Sequence, residues 1–513
     1  MSISVAETIG CDVLVIGRGV AGLRAAEECS ARGLGTVVLG ADKGNSPFIH
    51  GFNVPLAAGD SAECFYQDTR RSGCLQNDKA LVRMLCNRAQ SAFDFLAELG
   101  IAPNRNADGS IQLIRAVGCS YPRVVSVGNE AGAAVMAKLE ERLFRRGNTL
   151  ILRGRALRLC TKDGKICGAL AKTKDKTVLI GASAVVCAWG GFAGLFPFTT
   201  NSHENGESIG LLSEAGAELV DLEFIQFEPC AAVWPPPVRG KGMITTLFHE
   251  GAVLRNGLGK RFCDERSEKD VLAAAIHAEI AAHRQTPHGG VWFDASGVGR
   301  KRLEEVYGSY VRRYKDVGID IASEPFEVAP APHTTLGGAK IDASCATNVL
   351  GLFACGEAAG GIHGANRIGG NAGLETLVFG AVAGESAAKY VLQNQCRQAV
   401  SEHLTDAAGG VGADRMLLRE KAGDALGVVR SAKGLKDLVD YAEETLLQVG
   451  ENEEDLLRYR GELTTARLAA LSALAREESV GCHRRSDFEN RAEKRYRVIA
   501  QGKAVRREFT EEI

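Results

Sequence analysis

The chain has 513 residues, 45 % of them hydrophobic and 24 % charged, with a formal net charge of -2, which is enough for two or three domains around sizeable cores. Its 61 basic and 63 acidic residues leave no electrostatic footprint for nucleic acid or an anionic membrane. The sequence shows neither a run of about 18 apolar residues nor a basic-then-apolar leader, which argues against membrane insertion or export and makes a cytoplasmic protein the expectation.

The first predicted unit covers residues 11–40. "DVLVI" reads as a buried strand, "AGLRAAEECSARG" as an amphipathic helix and "TVVLG" as a second strand, together a βαβ unit. Gly17, Gly19 and Gly22 form G-x-G-x-x-G between strand and helix. The first glycine makes the turn, the second admits a pyrophosphate and the third lets helix and strand pack, while Val20 and Ala21 open a helix whose N-terminus suits phosphate. A nicotinamide dinucleotide would call for Asp or Glu at the end of the second strand. Gly40 stands there and Asp42 is the nearest replacement, so a flavin dinucleotide fits this long chain better.

"GASAVVCAWGGFAG" (181–194) and "TNVLGLFACGEAAGGIHGANR" (347–367) each read as a short strand ending in glycine, returning to the same sheet. Between them, from about 226 to 334, the chain turns irregular, with "WPPP" at 234–237 and polar or charged helices near 266–284 and 300–315, the pattern of an inserted domain. "HGANRIGGNAGLETLVFG" (363–380) sets polar and cationic side chains before a glycine-rich turn and an apolar helix, a place where something flat and anionic can approach the backbone. From 401 onward the periodicity is helical without strand signals, and the charged tail "RRSDFENRAEKRYRVIAQGKAVRREFTEEI" reads as a solvated edge or partner surface. The 60 glycines exceed ordinary usage and point to many close backbone approaches. The 15 cysteines are scattered, without C-x-x-C pairs, so they read as small core residues; no metal, internal iron-sulfur cluster or disulfide framework is expected.

The stretches "VLVIGRGVAGLRAA", "APHTTLGGAKID", "GLFACGEAAGGIHGANRIGGNAGLETLVFG" and "AREESVGCHRRSDF" resemble, in order and spacing, the FAD flavoproteins of the succinate dehydrogenase and fumarate reductase family, which includes L-aspartate oxidase. The resemblance spans nearly the whole chain. It implies an FAD-dependent oxidoreductase of α/β class, with a Rossmann-like FAD-binding domain (1–225 and 335–400), an inserted α+β capping domain (226–334) and a C-terminal helical domain (401–513). It implies FAD contacts from Gly17, Gly19, Val20, Ala21 and Gly22, from the turn Lys43, Gly44, Asn45 and Ser46, from Gly51, Ala156, Gly190, Gly191 and Glu207, from Gly356 and Glu357, and from the helix start Asn371, Ala372, Gly373 and Leu374. A positive helix terminus there favours the anionic reduced flavin. Asn45 falls where covalent members carry histidine and His50 aligns nearer a glutamine, so the FAD is expected to be non-covalent.

The family moves a hydride between flavin N5 and one carbon of a small dicarboxylate, and its T-E-x-x-R-G-E-G arginine is expected to handle the proton. The matching segment, "TTLFHEGAVLRNG", has Phe248 at that arginine, and a phenyl ring transfers no proton. Glu228 replaces the histidine of Q-F-H-P, and Ala116, Cys119 and Ser126 fall where aspartate oxidase-like sequences carry Glu, His and His. Phe248 and Glu228 therefore mark a rewritten substrate site. His333, His363 and Arg367 match positions that hold a substrate carboxylate, and His249 or Glu250 is expected to supply the missing acid or base, at most one of them facing the flavin. The expected partners are a small carboxylate substrate and, in the alternative reading of a flavoprotein subunit, an iron-sulfur or other electron-transfer subunit. L-aspartate oxidase activity itself is a weaker alternative.

Overall fold

The computed structural model describes residues 5–128, 130–394, 412–451 and 453–510. The expected βαβ unit is β1 (Val5–Ile16), α1 (Val20–Ala31) and β2 (Thr36–Leu39). β1 pairs in parallel with β2, Val13 opposite Thr36, and on its other side with Thr177–Cys187, Val13 opposite Ala184. Thr149–Leu152 extends the sheet beyond β2, and Leu352–Ala354 pairs in parallel with the far half of Thr177–Cys187. The near half of that strand pairs with Lys165–Thr173, which folds back on Gly154–Lys162. Val13, Leu14 and Val15 are wholly buried, so side chains on both faces of the strand are covered and a continuous apolar run, not an alternating one, specifies it. On one side α1 lies against the helix Asn371–Asn394, where a methyl group on Gly380 or Gly384 would sit 2.7 Å from Ala21 O or 2.4 Å from Ala25 O.

The inserted segment has its own sheet and core. Ile225–Ala232, Phe326–Thr335, Val291–Asp294 and Val253–Arg255 form an antiparallel sheet in that order, roofed by the helices Lys269–Ala281 and Arg300–Lys315. Leu254, Phe293, Tyr314 and Phe326 fill a core separate from that of the nucleotide sheet. Chain entry and exit are paired with each other, Ile225 opposite Thr335, so this cap stands on a two-stranded stalk.

Three helices, Arg415–Ala425, Ala432–Gln448 and Glu454–Ala475, follow; residues 395–411 and 511–513 of the expected domains lie outside the described residues. The tail departs from expectation. Tyr496–Gln501 and Ala504–Phe509 form a hairpin whose first strand pairs with Leu219–Val220, Leu219 opposite Ala500, and so joins a five-stranded sheet. Tyr496, Val498, Ile499 and Ala500 are buried, and Arg497 is matched by Asp221 at 3.1 Å and Asp78 at 3.4 Å. Charged neighbours hid this strand, although its arginine is paired inside the fold. Among the described residues no helix is long and apolar enough to cross a membrane and no group of three metal-ligating side chains occurs. Of the described cysteines, all but Cys64, Cys74 and Cys263 are buried.

Candidate active site

The glycines of the first turn are required by what they touch. Gly17 has φ +120, and a methyl group there would lie 2.1 Å from Ala188 O; one on Gly22 would lie 2.0 Å from Gly17 O. Such contacts exclude any side chain. Gly19 caps α1 without a side chain, and Val20 N donates to Ser46 Oγ at 2.9 Å, so the turn Lys43–Ser46 closes over the helix start. A methyl group on Gly356 (φ +63) would lie 2.9 Å from Ala21 Cβ, which explains the small residue at 21. Gly40 is equally constrained, because its methyl would lie 2.6 Å from Arg18 Cβ and Arg18 is held by Glu140 at 2.9 Å. The acid of a nicotinamide site therefore has no room there. Asp42 accepts from Gly44 N at 2.9 Å, and Lys43 faces Glu140 at 3.9 Å.

Farther along the sheet edge lie two carboxylates, only one of which the sequence reading selected. Glu357 Oε1 accepts from Thr335 N at 2.8 Å and Thr335 Oγ1 at 3.2 Å. Glu204 Oε2 accepts from Asn201 Nδ2 at 2.8 Å and Gly191 N at 3.2 Å. Methyl groups on Gly190 and Gly191 would meet Glu204 Cδ at 2.5 Å and Glu357 Oε1 at 2.7 Å. Burial pushes both carboxyls above their usual range, Glu357 well above, with the charge of Glu204 adding to it; such a pair holds one proton more readily than two charges. Glu207 instead turns to the C-terminal helices, accepting from Arg458 Nη2 at 2.9 Å, with Arg155 at 3.5 Å. Ala156 is buried in the strand beside it.

The helix Asn371–Asn394 starts in a packed corner. Asn371 Oδ1 accepts from Asn53 Nδ2 at 2.6 Å, and a methyl group on Gly373 would lie 2.7 Å from Gly51 O. Leu374 is wholly buried and Ala372 half-buried. His363, expected to meet substrate, has its Nε2 2.7 Å from Glu375 Oε2, with both side chains buried. A carboxylate beside it opposes an anionic ligand, so His363 braces loop to helix.

The other residues expected to meet substrate come together at the cap stalk. His333 Nδ1 lies 2.7 Å from Thr200 Oγ1. Burial first, then the positive charges of Lys269 and Arg367, push its pKa well below the usual histidine range, which leaves a neutral imidazole at neutral pH. Arg367 is buried, its Nε has no hydrogen-bond partner, and Nη1 donates only weakly to Ile368 O at 3.3 Å. Burial lowers its pKa from the usual arginine value, while Glu357, Glu228 and Glu375 counter that effect. Glu228, 6 % exposed, is ion-paired through Oε2 with Lys269 Nζ, and its Oε1 has no partner. Lys269, which the sequence reading passed over, is the first residue of its helix. A cation is unfavourable at that end of the macrodipole, so its position breaks a local rule in the way functional residues do. The preceding residue, Glu268, accepts from Asn366 Nδ2 at 2.7 Å.

Two expected catalytic residues do not join this cluster. Glu250 is held by Arg302 Nε at 2.7 Å and Tyr307 OH at 2.6 Å, both on the cap helix Arg300–Lys315. His249 is exposed on a six-residue 3-10 segment, Thr245–Glu250. Phe248 is 3 % exposed and packs 5.1 Å from Phe293 in the cap core, so it contributes hydrophobic packing and not a wall for substrate. The segment is a helical turn, not the extended strand on which adjacent residues would face opposite ways.

The donor set fits FAD: a glycine turn with no room for side chains, a helix start without a side-chain cap, and half-buried carboxylates suited to hydroxyl groups. A model described as FAD binding domain matches residues 12–372, and one described as Fumarate reductase flavoprotein C-term matches residues 417–508. One of the subunits of the fumarate reductase (CoM/CoB) of Methanothermobacter marburgensis is 34 % identical, over 94 % of this chain and 95 % of that protein. L-aspartate oxidase of Streptomyces coelicolor is 32 % identical, over 95 % and 90 %. The solved structure of Mycobacterium smegmatis Sdh1 in complex with UQ1 superposes with a TM-score of 0.88 at 28 % identity, covering 99 % of this chain and 95 % of that one. The chain belongs to the FAD-dependent oxidoreductases of the fumarate reductase, succinate dehydrogenase and L-aspartate oxidase flavoprotein family.

Proposed function

We infer that the protein moves a hydride between flavin N5 and a small carboxylate-bearing substrate bound at the cap stalk. One observation carries this reading: Arg367, His333, Glu228 and Lys269 converge there from four separate segments. FAD, bound without a covalent link, supplies two-electron exchange at N5. Arg367 offers a desolvated guanidinium with an unused Nε–H for the substrate carboxylate. His333, neutral and fixed by Thr200, orients the same group without adding charge. Lys269 is the proton-transfer group, an ammonium in contact with a carboxylate that can return the proton. Cap motion about the stalk excludes water while the proton is held.

The name of one relative favours a second arrangement of the same chemistry. The Methanothermobacter protein is one part of a multi-subunit enzyme, so electrons here also have a route to a separate polypeptide. L-aspartate oxidation is not expected, because Glu228 and the buried Phe248 leave no anchor for a second carboxylate.

The test is an anaerobic panel of organic acids on the purified protein, oxidised and reduced, followed by visible flavin absorbance. At least one carboxylate reduces or reoxidises the flavin, and Lys269→Met slows that step by about 10²–10⁴-fold with flavin content unchanged. A flavin indifferent to every acid would refute the assignment. Co-purification from the native source separates a free-standing enzyme from a component of a larger complex.

A further inference from the structure

Glu228 sets a condition on the substrate that the rest of the site does not. It is a carboxylate in a site where Arg367 expects an anion, and it is more than nine-tenths buried. Lys269 occupies Oε2, while Oε1 has no partner. A buried acceptor without a donor is costly, so an oxygen left open beside an ion pair marks the place of a missing donor. The charged and titratable groups facing the cluster are Arg367, Lys269, Glu228, Glu357 and Glu375, with His333 neutral and His50 beyond it; burial holds the Glu357 carboxyl well above its usual range, in the protonated form. Glu375 is paired through Oε2 with His363 Nε2 at 2.7 Å, while His363 Nδ1 and Glu375 Oε1 have no partner, and Glu268 is engaged by Asn366. With Lys269 offset by Glu228, one positive charge, that of Arg367, remains for ligand. One carboxylate balances it; a second would face Glu228 without a counter-ion.

We propose that the substrate is a carboxylate bearing a protonated amine, its carboxylate on Arg367 and its ammonium on Glu228 Oε1. The proposal rests on the reading of the stalk as the substrate site and narrows it from small carboxylates in general to amino-carboxylates. Specificity then comes from repulsion as much as attraction: a dianion is rejected at the position where an ammonium is accepted.

Matched four-carbon probes test it: succinate, butanoate, 2-aminobutanoate and 4-aminobutanoate, each titrated into the flavin-loaded protein while the visible flavin spectrum reports binding without turnover. In the native protein at least one amino acid binds about tenfold or more tighter than both butanoate and succinate. Glu228→Gln keeps shape and removes charge, and brings the amino acids level with butanoate; Glu228→His gives succinate the advantage. Retained flavin absorbance shows that each variant is folded. Succinate binding tighter than the amino acids, or an order of affinities unchanged by both substitutions, overturns the proposal and leaves the carboxylate site standing. If no probe perturbs the flavin, and Arg367→Lys changes nothing, the site reading and the proposal fall together.

Discussion

Lys269→Met in the flavin-loaded protein isolates the Glu228 pair. Methionine keeps an unbranched side chain and removes the charge, so Glu228 Oε2 loses its partner while Oε1 already has none. Stranding one member of a buried pair costs about 3–5 kcal/mol. The Lys269 side chain is 21 % exposed and Arg367 lies within electrostatic reach, so the expected loss is smaller, about 2 kcal/mol. Glu228→Gln in the same background removes the stranded charge and returns at least half of that loss. Urea titration read by tryptophan emission follows the cap, which contains Trp234 and Trp292. With a slope of about 1–2 kcal/mol per molar, Lys269→Met lowers the midpoint by about 1–2 M and the double variant recovers half or more. Equal midpoints for the single and double variants would mean that Glu228 is not stranded and that the pair is solvated, which removes the basis for the site.

Gly191→Ala, whose methyl would lie 1.9 Å from Thr335 Oγ1, yields protein with flavin absorbance reduced about tenfold or more, measured against a folded circular dichroism spectrum. Acid precipitation of the native protein releases all its flavin to the supernatant, and flavin retained in the pellet would place a covalent bond at His50 or elsewhere. The raised carboxyls of Glu204 and Glu357 favour the protonated form in the folded chain. The stability they confer on flavin-free protein is thus full below the ordinary glutamate value of 4.5 and declines as pH rises through their folded values; Glu204→Gln flattens that decline in urea midpoints taken across the range. Arg476→Met strands Glu223, both being fully buried at 2.6 Å, and costs about 3–5 kcal/mol, detected as proteolytic release of the hairpin Tyr496–Phe509.

The nucleotide cradle was legible because its requirements are local. Gly17, Gly19 and Gly22 answer to contacts within one turn, and the apolar strands around them answer to burial on both faces. The proposed substrate site was legible only in part, since its residues meet across long sequence separations. His333 and Arg367 stood out by residue type, but Lys269 looked like one charge among several before the apolar stretch "DVLAAAI". Its signal is a lysine at the start of a helix, where the dipole disfavours it. Glu204 escaped because Glu207, three residues on, fitted a familiar motif; the Gly206 turn sends the two to different neighbours. His363 was assigned to substrate because Glu375, twelve residues later, could not be placed beside it without the fold. The tail hairpin was lost to its own arginines, each of which reads as solvent-facing until Asp221 is brought up to Arg497.

The substitution at Phe248 looked like a loss of catalytic capacity when taken by itself. In the fold, Phe248 belongs to the cap core, and the cation sits instead on a helix whose first turn is wired to the opposite wall. Asn366 holds Glu268, and Gln226 on the stalk donates to both Asn366 Oδ1 at 2.9 Å and Arg367 O at 3.0 Å. Each of the two cations at the stalk is thereby one residue from the same small network, Arg367 beside Asn366 and Lys269 beside Glu268. Cap position and the spacing between Arg367 and Lys269, the proposed carboxylate anchor and proton source, are consequently one variable. Under the proposed reading, opening the stalk separates them and closing it restores both at once, which confines the chemistry to the closed state.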